Sequence, residues 1–252
     1  MNGTVLTVNG LDKRFDGVRA LTEFSMELRR GEVLGIIGPN GAGKTTAFNV
    51  IGGFISPEKG RVVVGGKDIT HAPPYRIARL GVSRTFQNLR LLRQLSVLDN
   101  VLACFQDQPG EKLRNVFFRW RGCRRREADN RKEAMALLEE VRLADKGESP
   151  AEALSYGQQK LLSLVCCLAA GADVLLLDEP VAGIAPEMTE RILGLIRDLP
   201  SRGKSVILIE HDMDAVAQVC DRVIFMDAGR KVCEGTSDEV REDPRVIEAY
   251  LT

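Results

Sequence analysis

The chain contains no apolar run near the ~20 residues a membrane-spanning helix requires, so any membrane role must come through a partner. It carries no net charge: 35 Lys and Arg stand against 35 Asp and Glu. That balance argues against a general binder of polyanions such as nucleic acid. Its six cysteines (Cys104, Cys123, Cys166, Cys167, Cys220 and Cys233) show no C-x-x-C or other ligand spacing. With no targeting peptide at Met1-Asn2-Gly3, they read as reduced cytosolic thiols rather than a metal site. Histidine is scarce, with only His71 and His211. Internal repeats and low-complexity segments are also missing. What remains is 252 residues, 44% of them apolar, enough for one large domain or a core with an attached subdomain.

The strongest positive feature is the octet Gly38-Pro39-Asn40-Gly41-Ala42-Gly43-Lys44-Thr45, which fits G-x-x-x-x-G-K-[ST]. An apolar run, Val33 to Ile37, precedes it, and a helix-compatible segment beginning at Thr46 follows. Strand, glycine loop and helix form the context in which this pattern marks a nucleotide phosphate site, as opposed to an ordinary glycine-rich turn. Glycines allow several backbone N–H groups to point at one anion, and the helix adds the positive end of its dipole. Lys44 would reach the β- and γ-phosphates of ATP, and the Thr45 hydroxyl would coordinate Mg²⁺.

Two further runs end in polar residues of the right chemistry. Val174 to Leu177 reads as a fully buried parallel strand and delivers Asp178 and Glu179. In a doubly wound sheet, ligands lie beyond the carboxyl ends of strands. Asp178 would then hold the metal through water, and Glu179 would polarise the attacking water; the plainer alternative is a polar turn before Pro180. The run Ser205 to Ile209 ends in Glu210-His211-Asp212. His211 would fall at the same edge, where its imidazole would donate to the γ-phosphate and fix the water. His71, in the loop Thr70 to Pro74, has no such context and reads as exposed.

Leu154-Ser155-Tyr156-Gly157-Gln158-Gln159 precedes apolar residues at helical spacing: Leu161, Leu164, Val165, Leu168 and Ala169. Ser155 is a good N-cap and Gly171 a stop. Besides being an ordinary amphipathic helix, this is a second helix N-terminus able to meet an anion. A single ATP has little use for two separate cradles in one chain unless the second serves another molecule.

These motifs, GPNGAGKT, RTFQN with Gln87, LSYGQQ, LLLDEP and the His211 of IEHD, occur in the order found in ABC transporter ATPase subunits, which the chain resembles over essentially its whole length. Within that family the likeness is to the ATPases of branched-chain (hydrophobic) amino acid importers. It rests on the YGQQ variant, EHDM, RTFQN, the long segment after Gln87 and the ending EGTSDEVREDPRVIEAYLT. The resemblance implies an α/β fold of ABC ATPase type: a P-loop NTPase core with a mostly parallel sheet, an antiparallel β subdomain and an inserted helical subdomain. It also implies that Phe15 stacks on adenine and that Gln87 touches both Mg²⁺ and the membrane partner. Asp178 resembles the Walker B aspartate, Glu179 the catalytic base and His211 the switch histidine. Thr46, Ser155, Gly157 and Gln158 join the nucleotide contacts, the last three from the facing subunit of a homo- or heterodimer. Partners implied are transmembrane permease subunits and, indirectly, a periplasmic or extracellular solute-binding protein. Nucleic acid is not among them, and the chain would sit peripherally on the cytoplasmic face of the inner membrane. Two departures stand out. Tyr156 replaces the common glycine, a change this subgroup shares. Ala185 occupies a position usually Asp or Asn, which puts coupling between the two active sites in doubt.

Along the chain, 1–88 and 154–252 read as core with the β subdomain, and about 89–153 as the helical subdomain, with the signature helix beginning at 154. Short strands are expected over Val5 to Val8, Thr22 to Leu28 and Arg61 to Val64, with turns at Gly10, Gly31 and Gly65-Gly66. Leu89, Leu91 and Leu92 read either as a docking segment for the permease or as subdomain core. Nine Lys or Arg lie between 112 and 132, interspersed with Phe117, Phe118 and Trp120. A solvated face, contact with anionic lipid and nucleic acid are the three readings of that segment. Rival functions are a soluble non-transport ABC ATPase, a P-loop kinase or GTPase, a nucleotide sensor without turnover, and ABC systems for urea or lipopolysaccharide.

Overall fold

The computed structural model describes residues 3–85, 89–106 and 120–251. The chain divides into two compact units. The first comprises Met1–Gln87, Asp173–Ala182 and Ile192–Thr252, and the second Asn88–Ala172 and Gly183–Arg191. The second unit thus includes the signature helix, which the sequence expectation assigned to the core.

Two sheets build the first unit. An antiparallel one runs in the order β2 (Val18–Arg29), β1 (Thr4–Phe15), β4 (Lys59–Val64), β5 (Lys67–Asp68). Gly10 does not end β1 as a turn. It lies inside the strand at φ 57°, where the register with β2 shifts between Val8 and Leu11, and its N–H donates to Ser25 Oγ at 2.8 Å. A bulge absorbs the positive φ without stopping the strand.

The second sheet has the order β10 (Arg230–Gly235), β9 (Arg222–Asp227), β3 (Val33–Ile37), β8 (Ser205–Ile209), β7 (Val174–Asp178), β6 (Val82–Arg84). All its pairings are parallel except the β9–β10 hairpin. β3, β7 and β8 are buried at all five positions, which is why they read as unbroken apolar runs. Period-two alternation divides β9 between two faces. Ile224 and Met226 join a core with Phe48 and Ile51 of α1 (Lys44–Ile51) and with Leu6, Leu11 and Phe24 of the antiparallel sheet. Val223 and Phe225 face the other way. They pack with Val216 of α7 (Met213–Val219), Val240 of α8 (Ser237–Glu242) and Val246 of α9 (Pro244–Leu251). A short helix, α2 (Pro74–Arg79), precedes β6. Parallel strands put the ends of β3, β7 and β8 on one edge, and the candidate site is built there.

The second unit is helical: α3 (Val97–Leu102), α4 (Trp120–Glu140), α5 (Tyr156–Ala169) and the start of α6 (Pro186–Asp198). Val97, Leu98 and Val101 of α3, Leu138 of α4, and Leu161, Leu164 and Val165 of α5 are buried. Buried Asn100 holds the preceding segment, its Oδ1 accepting from Leu92 N at 2.8 Å and its Nδ2 donating to Ser96 O at 2.9 Å. Leu89 and Leu91 are only half-buried and Leu92 is exposed, so these leucines are not subdomain core. Arg124, Arg125 and Arg126 are exposed on α4, while 107–119, with Phe117 and Phe118, lie outside the described residues. Among the described residues no helix is long and apolar enough to cross a membrane.

Candidate functional site: a phosphate loop at the edge of the parallel sheet

β3 ends at Ile37 and the glycine loop begins at once. Gly38 has φ 146°, and a Cβ there would stand 2.0 Å from Met226 O. Gly43, at φ 97°, would bring a Cβ within 2.4 Å of Ala20 O. Glycine is therefore required at both positions by backbone conformation and by space. Gly43 is also the N-cap of α1 and makes no side-chain cap. The first amides of a helix have no intrahelical acceptor, so α1 keeps donors for an anion.

Lys44 is buried, and its Nζ donates to the carbonyls of Gly38 at 2.7 Å and Pro39 at 2.8 Å. Burial lowers its pKa, while the charges of Glu179 and Asp178 raise it. A phosphate would offer the ammonium a far stronger acceptor than two carbonyls. A cavity of about 280 Å³ opens over this loop, lined by Asn40 to Thr46, Ala20, Glu179 and His211.

Glu179 follows β7 with φ 49°, an unusual conformation for a non-glycine residue. Two main-chain bonds hold it: its N–H donates to Ile209 O at 2.9 Å, and its carbonyl accepts from Ala182 N at 3.3 Å. The next turn is fixed by buried Glu210, whose Oε1 accepts from Val181 N at 2.9 Å. His211 Nε2 lies 2.6 Å from Glu179 Oε1. Asp212 caps α7, accepting from Asp214 N and Ala215 N. Strand ends and caps thus bring two side chains 32 residues apart into contact over the phosphate loop.

Asp178 is buried at the last position of β7. Its Oδ2 pairs with Arg84 Nη2 at 2.9 Å, and its N–H donates to Thr85 Oγ1 at 3.0 Å. Arg84 and Thr85 were not singled out in the sequence. The signal available was a cationic residue opening RTFQN, at the end of the three-residue strand β6.

The other sequence candidates fall in different places. Phe15 does not line the cavity; it ends β1 opposite Val18, is 42% exposed, and has Lys13 Nζ 5.3 Å from its ring centre. Gln87 lies outside the described residues. Ser155 is the N-cap of α5 in a capping box: its Oγ accepts from Gln158 N at 3.4 Å, and Gln158 Oε1 accepts from Ser155 N at 3.1 Å. Lys146 Nζ also reaches Gln158 Oε1 at 3.1 Å. Ser155 and Tyr156 are exposed, and a Cβ on Gly157 would meet Met188 Cγ at 2.7 Å. His71 is exposed. Among the described residues no group of three His, Cys, Asp or Glu is placed to hold a metal.

Comparison with known proteins agrees with this geometry. The family described as "ABC transporter" matches residues 21–182, and one described as "Branched-chain amino acid ATP-binding cassette transporter" matches 230–251. The chain is 37% identical over 252 residues to the high-affinity branched-chain amino acid transport ATP-binding protein LivG of Salmonella typhimurium, covering 100% of this chain and 99% of the relative. Identity to BraF of Pseudomonas aeruginosa, a protein of the same description, is also 37%, with the same coverage. Among solved structures, a nucleotide-free ATP-binding cassette from an ABC transporter superimposes with a TM-score of 0.86 at 33% identity, covering 99% of this chain and 100% of that one. The ADP conformation of MJ1267, an ATP-binding cassette of an ABC transporter, gives 0.84 at 32% identity, with 99% of each chain covered. The chain belongs to the ATP-binding subunits of ABC transporters.

Proposed function

We propose that this chain binds and hydrolyses ATP to drive import of branched-chain amino acids through transmembrane permease subunits. The observation that carries the ATPase reading is the single cavity lined by the 40–46 loop, Glu179 and His211. The solute class rests on the full-length similarity to LivG and BraF.

The ATP triphosphate would lie along the loop, with Lys44 leaving the Gly38 and Pro39 carbonyls for the β- and γ-phosphates. Glu179 would accept a proton from the attacking water, and His211 would hold that carboxylate and the water in line with the γ-phosphorus. Magnesium fits the donor set: the Thr45 hydroxyl and, through water, the Asp178 carboxylate are hard oxygen groups, and such ions complete their shell with phosphate oxygens and water. When bound, Mg²⁺ neutralises developing charge on the β- and γ-phosphates. Gln87 is assigned to the same ion and to the permease contact, and Phe15 to adenine.

Exposed Ser155 and half-buried Gly157, with Gln158, would meet the γ-phosphate held by a second ATPase subunit, so ATP would close a dimer that hydrolysis reopens. The chain would work peripherally at the cytoplasmic face of the inner membrane, with a solute-binding protein engaged only through the permeases. Co-purifying permeases from membranes and assaying ATP-dependent leucine uptake in vesicles tests this. Uptake that requires this chain supports it; permeases that carry urea or lipopolysaccharide, or none at all, would sink the solute assignment.

A further inference from the structure

We propose that Arg84 is a positioning residue that sets the spacing between the two oxygen donors of the metal site. The inference rests on the reading of Thr45 and Asp178 as those donors. Arg84 ends β6 with its side chain only 6% exposed, beside an Asp178 side chain at 2%. One arm of its guanidinium, Nη2, holds Asp178 Oδ2 at 2.9 Å, and the other, Nη1, donates to Asn49 Oδ1 at 2.7 Å. Asn49 lies on α1 four residues after Thr45, hence on the same helical face. A single planar cation therefore spans the helix that presents the Thr45 hydroxyl and the strand that presents the Asp178 carboxylate. Its plane is seated over the Phe48 ring, 5.4 Å from the centroid, and near that of Phe54 at 5.9 Å.

Charge alone does not account for this arrangement. A buried carboxylate needs a countercharge, and a lysine would supply one. A rigid fork adds a fixed angle between two partners, which a point-charge ammonium cannot maintain. With Oδ2 committed to Arg84, Oδ1 would be the oxygen left for the metal or its water. Groups that orient a metal-binding carboxylate typically matter ~10–100-fold in metal affinity or activity.

The test uses the full-length chain with Mn²⁺ as an EPR-visible probe in the presence of saturating ADP. Arg84→Lys keeps the charge and loses the fork. It should weaken Mn²⁺ binding about 10-fold while ADP affinity measured in EDTA stays within about twofold. Asn49→Ala removes one arm and leaves the ion pair intact. It should weaken Mn²⁺ in the same direction by roughly threefold, on the same reasoning, and it keeps the inference testable if the lysine variant fails to fold. Asp178→Asn is the control for the donor assignment. If Asp178→Asn weakens Mn²⁺ while Arg84→Lys and Asn49→Ala bind it as tightly as the parent, Arg84 only packs and neutralises, and the positioning role is overturned alone. If Asp178→Asn itself leaves Mn²⁺ binding unchanged, the donor assignment falls and this inference falls with it.

Discussion

The two helices that begin at candidate nucleotide contacts, α1 and α5, start in opposite ways. α1 follows a glycine, which offers its first turn no side-chain cap, and its lysine rests on two carbonyls. α5 follows a serine whose Oγ accepts from Gln158 N, while the Gln158 side chain returns to Ser155 N. One helix start is open to an anion and the other closes on its own side chains. For α5, the Ser155 oxygen already accepts a bond, so only its O–H proton is left to offer a phosphate. A self-capped helix presenting the Ser155 O–H beside the Gly157 N–H suits a contact made and broken each cycle, because its capping box need not refold.

Removing the ligand-side partner should produce the largest effect on nucleotide affinity. Lys44→Ala deletes the buried ammonium between the Gly38 and Pro39 carbonyls. Charge-assisted bonds to phosphate contribute ~1.5–3 kcal/mol each, so ATP affinity should fall by about 100-fold in equilibrium binding. Near-normal affinity would show that the helix end alone holds the nucleotide. Glu179→Gln comes next and separates binding from chemistry. Loss of a general base costs about 10²–10⁴ in rate, so turnover should collapse while ATP affinity persists. Brisk hydrolysis by this variant would remove Glu179 as the base.

Much of the site at α1 was legible in the sequence because its strands are buried on both faces. Val33–Ile37, Val174–Asp178 and Ser205–Ile209 carry no period-two alternation, and each stops at a polar or glycine residue, so the shared edge could be inferred. The contact between His211 and Glu179 follows from that edge. Local pattern could not reveal pairings across distant chain segments. The Arg84–Asp178 pair joins residues 94 apart, through the three-residue strand β6, which is too short to leave a periodic signal. The carbonyl of Ala20, which forces glycine at 43, comes from the antiparallel sheet and has no side-chain signature at all. Gly10 misled in the opposite direction: a glycine there suggested a turn, but the backbone of β1 accommodates its positive φ as a bulge. At α5, serine as a cap was readable, whereas Gln158 was assigned to nucleotide and also closes the capping box.

Ser155 sharpens the comparison from the self-capped side. Ser155→Ala should destabilise the chain by about 1 kcal/mol, the usual worth of an N-cap, seen as a fall in Tm of roughly 2–4 °C for a chain of this size. Ser155→Asp retains a good cap but replaces the O–H donor with a carboxylate facing phosphate. Its Tm should match the parent while ATP-dependent dimer formation is lost in cross-linking. A dimer unaffected by the aspartate would separate Ser155 from any neighbour's γ-phosphate.

The smallest change is expected at Gln158. Gln158→Ala removes the acceptor shared by Ser155 N and Lys146 Nζ, both at 3.1 Å. The Ser155 cap on the Gln158 amide survives because that bond uses backbone N–H. Half of a capping box and one part-buried hydrogen bond amount to about 0.5 kcal/mol, so the thermal midpoint should move by only about 1–2 °C. Amide hydrogen exchange is the more telling measurement: Ser155 N–H should exchange faster in the variant, and Gln158 N–H should keep its protection. Equal loss at both amides would mean that the Gln158 side chain holds the serine itself in place, so that the start of α5 acts as one cooperative unit rather than as two independent bonds.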